Sequence, residues 1–243
     1  MPYRNFTLKQ IACYLGLNIQ EAEKLAQKGE LPGERICGSW RFNKIRTVEW
    51  LQQTMHTLSD ARLKEIEVAM GNVAVDDDSA STTKHLVVTE LIGLSGITVE
   101  LPARTRTSVL IEMVNLADST GLLYDAEGLV RALEERENLC STAIPDGIAI
   151  PHPRRPLPYA TAEPLICVGR TGAGIGFGAP DGKLSRLFFL ICCHDDSHHL
   201  HVLARLMRML DPATIRRLLV APEPREILEI LIVREDVVIA AGT

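Results

Sequence analysis

Two apolar stretches in the second half of the chain decide the fold class: Pro164-Leu-Ile-Cys-Val-Gly169 and Leu187-Phe-Phe-Leu-Ile-Cys-Cys193. Both have the length of a β-strand, and neither alternates apolar with polar residues. A strand with one face in water would alternate, so both faces of the sheet that contains them must be covered. The two stretches therefore predict a sheet between two layers of helices.

The segments around these strands have the apolar periodicity of helices, with start and stop signals at their ends. Helices are predicted at 108–119, 125–138, 197–210, 212–220 and 225–233. Asp125 is placed to cap the second of these helices, and Asp211 followed by Pro212 opens the fourth. Residues 86–236 are therefore predicted to form an α/β domain, a mixed sheet flanked by helices on both faces.

Residues 1–56 predict a smaller α+β domain. Thr7 and Asn18 are each placed to cap a short helix, and a glycine follows each helix. Helices are expected at 8–15, 19–28 and about 44–53, with a β-hairpin before the third that turns at Gly38-Ser39. Two short helices joined by a turn that contains glycine indicate a helix-turn-helix.

Residues 57–85 are predicted to link the two domains. Their first half can form a helix at 58–70, and the remainder is acidic and rich in serine and threonine, with Asp76-Asp77-Asp78 at its centre. Such a composition buries little apolar surface, which is typical of a linker.

The composition excludes several classes of protein. No apolar run reaches the roughly 18–20 residues that cross a bilayer, and the first residues lack an apolar signal segment; we expect a cytoplasmic protein with no membrane partner. The six cysteines lack a CxxC spacing and are expected to be free thiols. Residues 1–56 hold 8 basic and 5 acidic residues against 18 and 26 in the remainder, so only the first domain has a charge that permits contact with nucleic acid.

One histidine, His152, lies between two prolines within Gly147-Ile-Ala-Ile-Pro-His-Pro153, and these neighbours suit it to a chemical role. The prolines exclude a helix and stiffen the backbone, so His152 is expected at a strand end with its side-chain direction fixed by the pleat. A histidine that accepts a phosphoryl group must be neutral at the attacking nitrogen, and its other nitrogen should donate a hydrogen bond. A cation and further donors should lie nearby. Arg136, 16 residues earlier, and His199, 47 residues later at the start of a helix, can supply them.

The order of motifs in this half resembles the fructose/mannitol/nitrogen-regulatory type of IIA component of the bacterial phosphotransferase system. The motifs are Glu135-Arg-Glu137, Ser141-Thr142, the Gly147–Pro153 segment, Ala179-Pro-Asp-Gly-Lys183 and the helix that begins His199-Leu-His-Val-Leu-Ala-Arg-Leu206. The resemblance implies that His152 carries phosphate, that His199 assists it and that Arg136 holds the phosphate. Pro145-Asp146 before the motif and Pro153 after the histidine depart from the usual pattern.

The resemblance also implies partners. Phosphate would come from an HPr-like phosphocarrier protein and pass to a IIB component or a regulatory target, without a cofactor, so the chain would be a phosphoryl-transfer component rather than a stand-alone enzyme. The nitrogen-regulatory type is favoured because no IIB or IIC segment is attached. The alternative is a regulator that binds DNA or protein and whose IIA fold no longer transfers phosphate.

Residues Leu8 to Leu51 resemble the excisionase/MerR-like winged helix-turn-helix family, through Lys28-Gly-Glu-Leu-Pro32, Gly38-Ser-Trp-Arg-Phe42 and Glu49-Trp-Leu51. DNA contact would then come from five basic residues: Lys24, Lys28, Arg35, Arg41 and Lys44. Glu21 and Glu23 near the start of the second helix oppose this, because DNA phosphates repel them. The alternative is a domain for protein contacts or homodimer formation.

Two other clusters of polar residues have alternative interpretations. The segment His194-Asp-Asp-Ser-His-His-Leu-His201 can present two metal ligands on one helical face, although acids and serine there are also typical of a helix N-terminus. Glu134, Glu135 and Glu137 are interpreted as surface charges of a solvated helix. We expect no metal site.

Overall fold

The computed structural model describes residues 5–73 and 86–241. The chain forms two compact units, one comprising Met1–Leu86 with Leu200–Arg208 and the other Val87–His199 with Met209–Thr243. The acidic segment of the predicted linker, with Asp76-Asp77-Asp78, lies outside the described residues. The predicted domain boundaries after residues 56 and 85 stay predictions.

Within its described residues, the N-terminal part of the first unit contains four α-helices and a small sheet, and Leu200–Arg208 adds most of a further helix, α7 (Asp196–Met209). In chain order, the elements of the N-terminal part are β1 (Asn5–Phe6), α1 (Leu8–Leu15), α2 (Ile19–Gln27), β2 (Glu34–Ile36), β3 (Ser39–Asn43), α3 (Lys44–Thr54) and α4 (Asp60–Val73). The strands pair antiparallel in the order β1-β3-β2. Both predicted caps are confirmed: Thr7 Oγ1 accepts from Gln10 N at 3.3 Å, and Asn18 Oδ1 from Glu21 N at 2.8 Å.

The hairpin turn lies one residue earlier than predicted. Ile36 pairs with Ser39, so the two turn residues are Cys37 and Gly38, with φ of 49° and 78°. A two-residue turn with both central residues in the left-handed region matches the twist of the flanking strands. The prediction of Gly38-Ser39 was wrong because it put the glycine in the first turn position instead of the second.

Helix α4 packs closely on the end of α1. Gly16 ends α1 with a φ of 66°, and a β-carbon on it would lie 2.8 Å from the Glu65 carbonyl oxygen. The Arg62 guanidinium donates to the Leu15 carbonyl at 2.7 Å, which satisfies a carbonyl that the helix end leaves open. Glycine is therefore required here by both backbone conformation and space.

The second unit holds the larger sheet. Its elements are β4 (Ile97–Thr98), α5 (Arg106–Asp118), α6 (Ala126–Leu139), β5 (Ala143–Ile144), β6 (Ile148–Ala149), β7 (Leu165–Ile175), β8 (Ser185–Cys192), the start of α7 (Asp196–Met209), α8 (Pro212–Val220) and α9 (Pro224–Ala240). The strand order is β4-β7-β8-β6-β5, with β4 parallel to β7, β6 parallel to β8, and the other two pairings antiparallel.

Both faces of this sheet are covered. Phe188 of β8 packs with Phe177, Met113 of α5 and Leu133 of α6 in one buried cluster. Phe189 points to the opposite face because side chains alternate along a strand, and it too is fully buried. The predicted mixed α/β architecture is confirmed.

Helix ends in the second unit lie close to their predicted positions, except at the end of α9. Helix α5 begins at Arg106, because Thr105 forms a capping box with Ser108, the residue at which the helix was expected to start. Helix α9 ends at Ala240 instead of 233. The caps at Asp125 and Asp211 are confirmed: Asp125 accepts from Gly128 N at 2.8 Å and Asp211 from Ala213 N at 2.7 Å.

All six cysteines are free, three exposed and three in the buried sheet region. Burial raises the pKa of Cys167 and Cys193 to about 12. Over the described residues, no helix combines the length and apolar character that crossing a membrane requires.

Candidate functional site

The backbone before His152 is tied to two neighbouring strands. Ile150 N–H donates to the Thr142 carbonyl at 3.0 Å, and Ile191 N–H of β8 donates to the Pro151 carbonyl at 3.0 Å. His152 follows directly, beyond the end of β6. The prediction that the pleat of a strand fixes its side-chain direction was wrong, because the residue has left the strand; a hydrogen bond does so instead.

The His152 ring is buried and its tautomer is set by its surroundings. Nδ1 lies 2.7 Å from the Ile150 carbonyl oxygen, and only 4% of the residue is exposed. Because a carbonyl can only accept, the neutral ring carries its proton on Nδ1 and leaves the Nε2 lone pair available. Within the described chain, buried Nε2 has no hydrogen-bond partner. The nitrogen available for attack is therefore Nε2.

A second histidine, His199, lies beside His152 at this site. The two ring centroids lie 4.8 Å apart with the planes tilted by 47°. His199 is 3% exposed, and its Nε2 also has no hydrogen-bond partner among the described residues. It lies in the first turn of α7, three residues later than the helix start at Asp196, and the carboxylate of Asp195 caps that turn by accepting from Ser197 N and His198 N at 2.9 Å each.

Arg136 is buried in the last turn of α6. It is 4% exposed, and its guanidinium donates to the Cys140 carbonyl at 2.7 Å, where the helix ends. This bond satisfies a helix-end carbonyl and fixes the direction of the side chain. The positive charge is close enough to lower the pKa of both His152 and His199.

The electrostatics keep both imidazoles neutral. Burial is the main reason that the pKa of His152 lies well below 6.5; repulsion from a protonated His199 and from Arg136 lowers it further, and the bond to Ile150 opposes these effects. Burial likewise lowers the pKa of His199 to about 4, although Asp196 and Asp195 act in the opposite direction. A buried neutral imidazole beside an arginine is suited to receive a group that brings negative charge.

Glu137 does not lie on a solvated surface, so the interpretation given to it from the sequence was wrong. It is 4% exposed, and its carboxylate accepts from the Thr142 hydroxyl at 2.6 Å and from Thr142 N–H at 3.2 Å. Glu135, one residue from the buried Arg136, is exposed as expected. The sequence held two signals for this contact, which are the spacing between Glu137 and Thr142 across the helix end and the place of both residues in the motifs Glu135-Arg-Glu137 and Ser141-Thr142.

The histidine-rich segment before and within α7 has local partners. His194 Nε2 lies 3.1 Å from the Thr161 hydroxyl oxygen, and His198 Nδ1 pairs with the Asp195 carboxylate. Across the residues that the structure describes, no group of three or more histidine, cysteine or carboxylate side chains is arranged to hold a metal ion.

The five basic residues expected to meet DNA lie in the first unit. Lys24 and Lys28 are exposed on and just after α2, Arg35 is exposed on β2, and Arg41 and Lys44 are partly buried. The Arg35 guanidinium carbon lies 5.1 Å from the centre of the Trp40 ring, which orders it on the hairpin. A role for these five residues in DNA contact stays a prediction.

The second unit has the fold of IIA components of the phosphotransferase system. Nitrogen Regulatory Protein IIA-Ntr from Neisseria meningitidis aligns with 59% of this chain and 98% of its own at 26% identity, with a TM-score of 0.54. IIA mannitol from Escherichia coli aligns with 57% of this chain and 97% of its own at 23% identity, with a TM-score of 0.50, which speaks for the fold alone.

Sequence comparison agrees and gives the family. Residues 90–233 match the model of "Phosphoenolpyruvate-dependent sugar phosphotransferase system, EIIA 2", and the chain belongs to that family. A nitrogen regulatory protein of Pseudomonas aeruginosa is 31% identical over 137 residues, 55% of this chain and 87% of that protein. The fructose-specific EIIABC component of Bacillus subtilis is 30% identical over 151 residues; these are 61% of this chain but only 23% of the relative, so the chain spans about a quarter of that protein.

Proposed function

We propose that this chain is a cytoplasmic phosphocarrier that accepts a phosphoryl group on Nε2 of His152. The observation that carries the proposal is the 2.7 Å contact between Nδ1 and the Ile150 carbonyl, which leaves a neutral, buried Nε2 beside His199 and Arg136. Membership of the EIIA 2 family supports it.

The tautomer inferred from the contact with the Ile150 carbonyl allows the transfer without any loss of a proton. The Nε2 lone pair forms a bond to phosphorus while the bond between phosphorus and the donor nitrogen breaks, and the donor keeps that electron pair. His152 need not lose a proton, because the proton stays on Nδ1 in the bond to Ile150. Arg136 and His199 would donate to the phosphoryl oxygens.

The donor would be an HPr-like phosphocarrier protein. Two recipients fit the relatives. One solved neighbour, 23% identical with a TM-score of 0.50, is a complex of enzyme IIA mannitol with phosphorylated enzyme IIB mannitol from Escherichia coli, which favours a IIB partner. The nitrogen regulatory relative favours a regulatory target protein.

Incubation with phosphoenolpyruvate, Enzyme I and HPr tests this proposal. We expect one acid-labile phosphate per chain, on Nε2, and none on His152→Ala. His198→Ala, one residue from His199 on the same helical turn, is the matched control and should still be labelled. Label that remains on His152→Ala would overturn the assignment, and an unlabelled wild type would favour a regulator that no longer transfers phosphate.

A second function is proposed for the first unit, which is DNA contact as a homodimer. It is supported by α1 and α2 joined at Gly16, followed by a hairpin on which Arg35 is ordered by Trp40. Selection from random duplexes should enrich a sequence, and Arg35→Ala/Arg41→Ala should weaken binding. The absence of enrichment would leave this unit as a domain for protein contacts.

A further inference from the structure

Glu137 is buried one residue from Arg136, and its carboxylate is hydrogen-bonded to Thr142. Both of its carboxylate oxygens lie 3.2 Å from Thr142 N–H, and one accepts the Thr142 hydroxyl at 2.6 Å. A carboxylate that is taken out of water must be matched by donors, and these two groups of Thr142 supply them. The last turn of α6 is thereby fastened to the residue that begins the β5–β6 hairpin.

Thr142 is also hydrogen-bonded across the hairpin. Its carbonyl accepts from Ile150 N–H at 3.0 Å, one step beyond the pairs Ala143–Ala149 and Ile144–Ile148. The Ile150 carbonyl in turn accepts from His152 Nδ1 at 2.7 Å. An unbroken series of hydrogen bonds therefore runs from Glu137 through Thr142 and Ile150 to the imidazole.

The same helical turn also carries Arg136, which is held by the Cys140 carbonyl. Two adjacent residues thus contribute in different ways: Arg136 places a charge beside the rings, and Glu137 holds the backbone that orients one of them. A small displacement of that backbone would weaken the bond that selects the tautomer of His152.

We propose that Glu137 is a positioning residue that, through Thr142 and Ile150, holds His152 with its proton on Nδ1 and its Nε2 available for the phosphoryl group. This rests on the proposed function in so far as it concerns transfer. The tautomer itself is independent of transfer, so it can be measured on the unphosphorylated protein.

The primary measurement is ¹⁵N NMR of the His152 imidazole in the unphosphorylated full chain. Wild type should show the Nδ1–H tautomer, and Glu137→Gln should shift the ring toward a mixture of tautomers. Glu135→Gln, an exposed change two residues away on the same helix, should leave the tautomer unchanged. Unaltered His152 signals in a folded Glu137→Gln protein would overturn the proposal.

Thr142 provides the second test, because Glu137→Gln can also loosen the fold. Thr142→Ser keeps the hydroxyl and should behave as wild type, whereas Thr142→Val should reproduce the tautomer shift. The double variant Glu137→Gln/Thr142→Val should be little worse than either single change, since both weaken the same link. Additive effects on the tautomer would contradict the proposed series of bonds.

Transfer from HPr separates this proposal from the proposed function. Glu137→Gln should slow phosphorylation roughly tenfold to a hundredfold and allow some label on Nδ1, while Glu135→Gln should not. If wild type accepts no phosphate, the proposed function fails, but the tautomer result still decides the role of Glu137. If Glu137→Gln is phosphorylated on Nε2 at the wild-type rate, the positioning role fails while the proposed function stands.

Discussion

The imidazole rings of His152 and His199, 47 residues apart in the chain, lie with their centroids 4.8 Å apart and buried together. A proton on either ring would place a positive charge where little water can hydrate it, so burial disfavours the protonated form of both histidines. Because of this pair, both the stability of the fold and the reaction at His152 should depend on pH, and both can be measured.

Stability should fall in mildly acidic solution. His199 has a folded-state pKa of about 4, against 6.5 for an unperturbed imidazole, so between these values the unfolded chain binds a proton that the folded protein does not. The stabilisation is fully present above pH 6.5 and is lost as the pH falls toward 4, by about 3 kcal/mol in total. Urea unfolding of wild type and His199→Asn at about pH 7.5 and about pH 5 tests this, and the variant should lose less stability; an equal loss would contradict it.

The His152 ring should stay neutral in folded protein at pH values where an unperturbed imidazole is charged. Burial is the main cause of its lowered pKa, and repulsion from a protonated His199 and from Arg136 lowers it further. We expect the ¹⁵N signals of His152 to remain those of a neutral ring through pH 6.5 and to titrate near 6.5 only in urea-unfolded protein. A midpoint near 6.5 in the folded protein would contradict the burial of this ring.

Arg136 should act on both the histidines and the phosphate. Arg136→Gln removes the charge that lowers the pKa of His152 and His199, so both pKa values should rise. Each lost charge-assisted hydrogen bond to a phosphoryl oxygen is worth about 1.5–3 kcal/mol, so phosphoryl transfer should slow by roughly tenfold to a hundredfold. Arg136→Lys keeps the charge but not the fork, and should preserve the pKa values better than the transfer rate. Wild-type transfer by Arg136→Gln would show that Arg136 does not contact the phosphate.

A buried carboxylate in the first unit should contribute strongly to stability. Glu67 lies 2.5 Å from Arg205 and 2.8 Å from Arg208, with 8% of its side chain exposed. Arg208 also meets Asp60 at 3.1 Å, but the Asp60 side chain is 70% exposed. Removing the partner of a buried charge costs about 3–5 kcal/mol, whereas an exposed pair is worth about 0–1 kcal/mol. Glu67→Ala should therefore destabilise the protein far more than Asp60→Ala, as measured by urea unfolding.

The pH dependence of this cluster has a defined sign. Burial alone would raise the pKa of Glu67, but the bonds and charges of Arg205 and Arg208 outweigh it, so the pKa lies below 4.5. The contribution is present above pH 4.5 and is lost as the pH falls through the folded-state pKa. Equal stabilities of Glu67→Ala and Asp60→Ala near pH 7 would contradict this assignment.

Features that depend on neighbouring residues followed from the sequence. The caps at Thr7, Asn18, Asp125 and Asp211 are confirmed, because a cap joins a side chain to an amide only two or three residues away. The uninterrupted apolar runs around Phe188 and Cys167 likewise predicted a sheet covered on both faces. The hairpin turn was missed by one residue, because the amino acids alone leave the register of Cys37-Gly38 and Gly38-Ser39 nearly equivalent.

The residues themselves determined that a histidine stands between two prolines, with an arginine and a second histidine in the family's order. Only the tertiary structure decided that Glu137, in a run of charged helical residues, is buried on Thr142, and that the Ile150 carbonyl chooses the tautomer of His152. Burial and tautomer depend on which distant segments close around a side chain. A charged residue at a helix end reads the same in sequence whether water or a hairpin amide completes its hydrogen bonds.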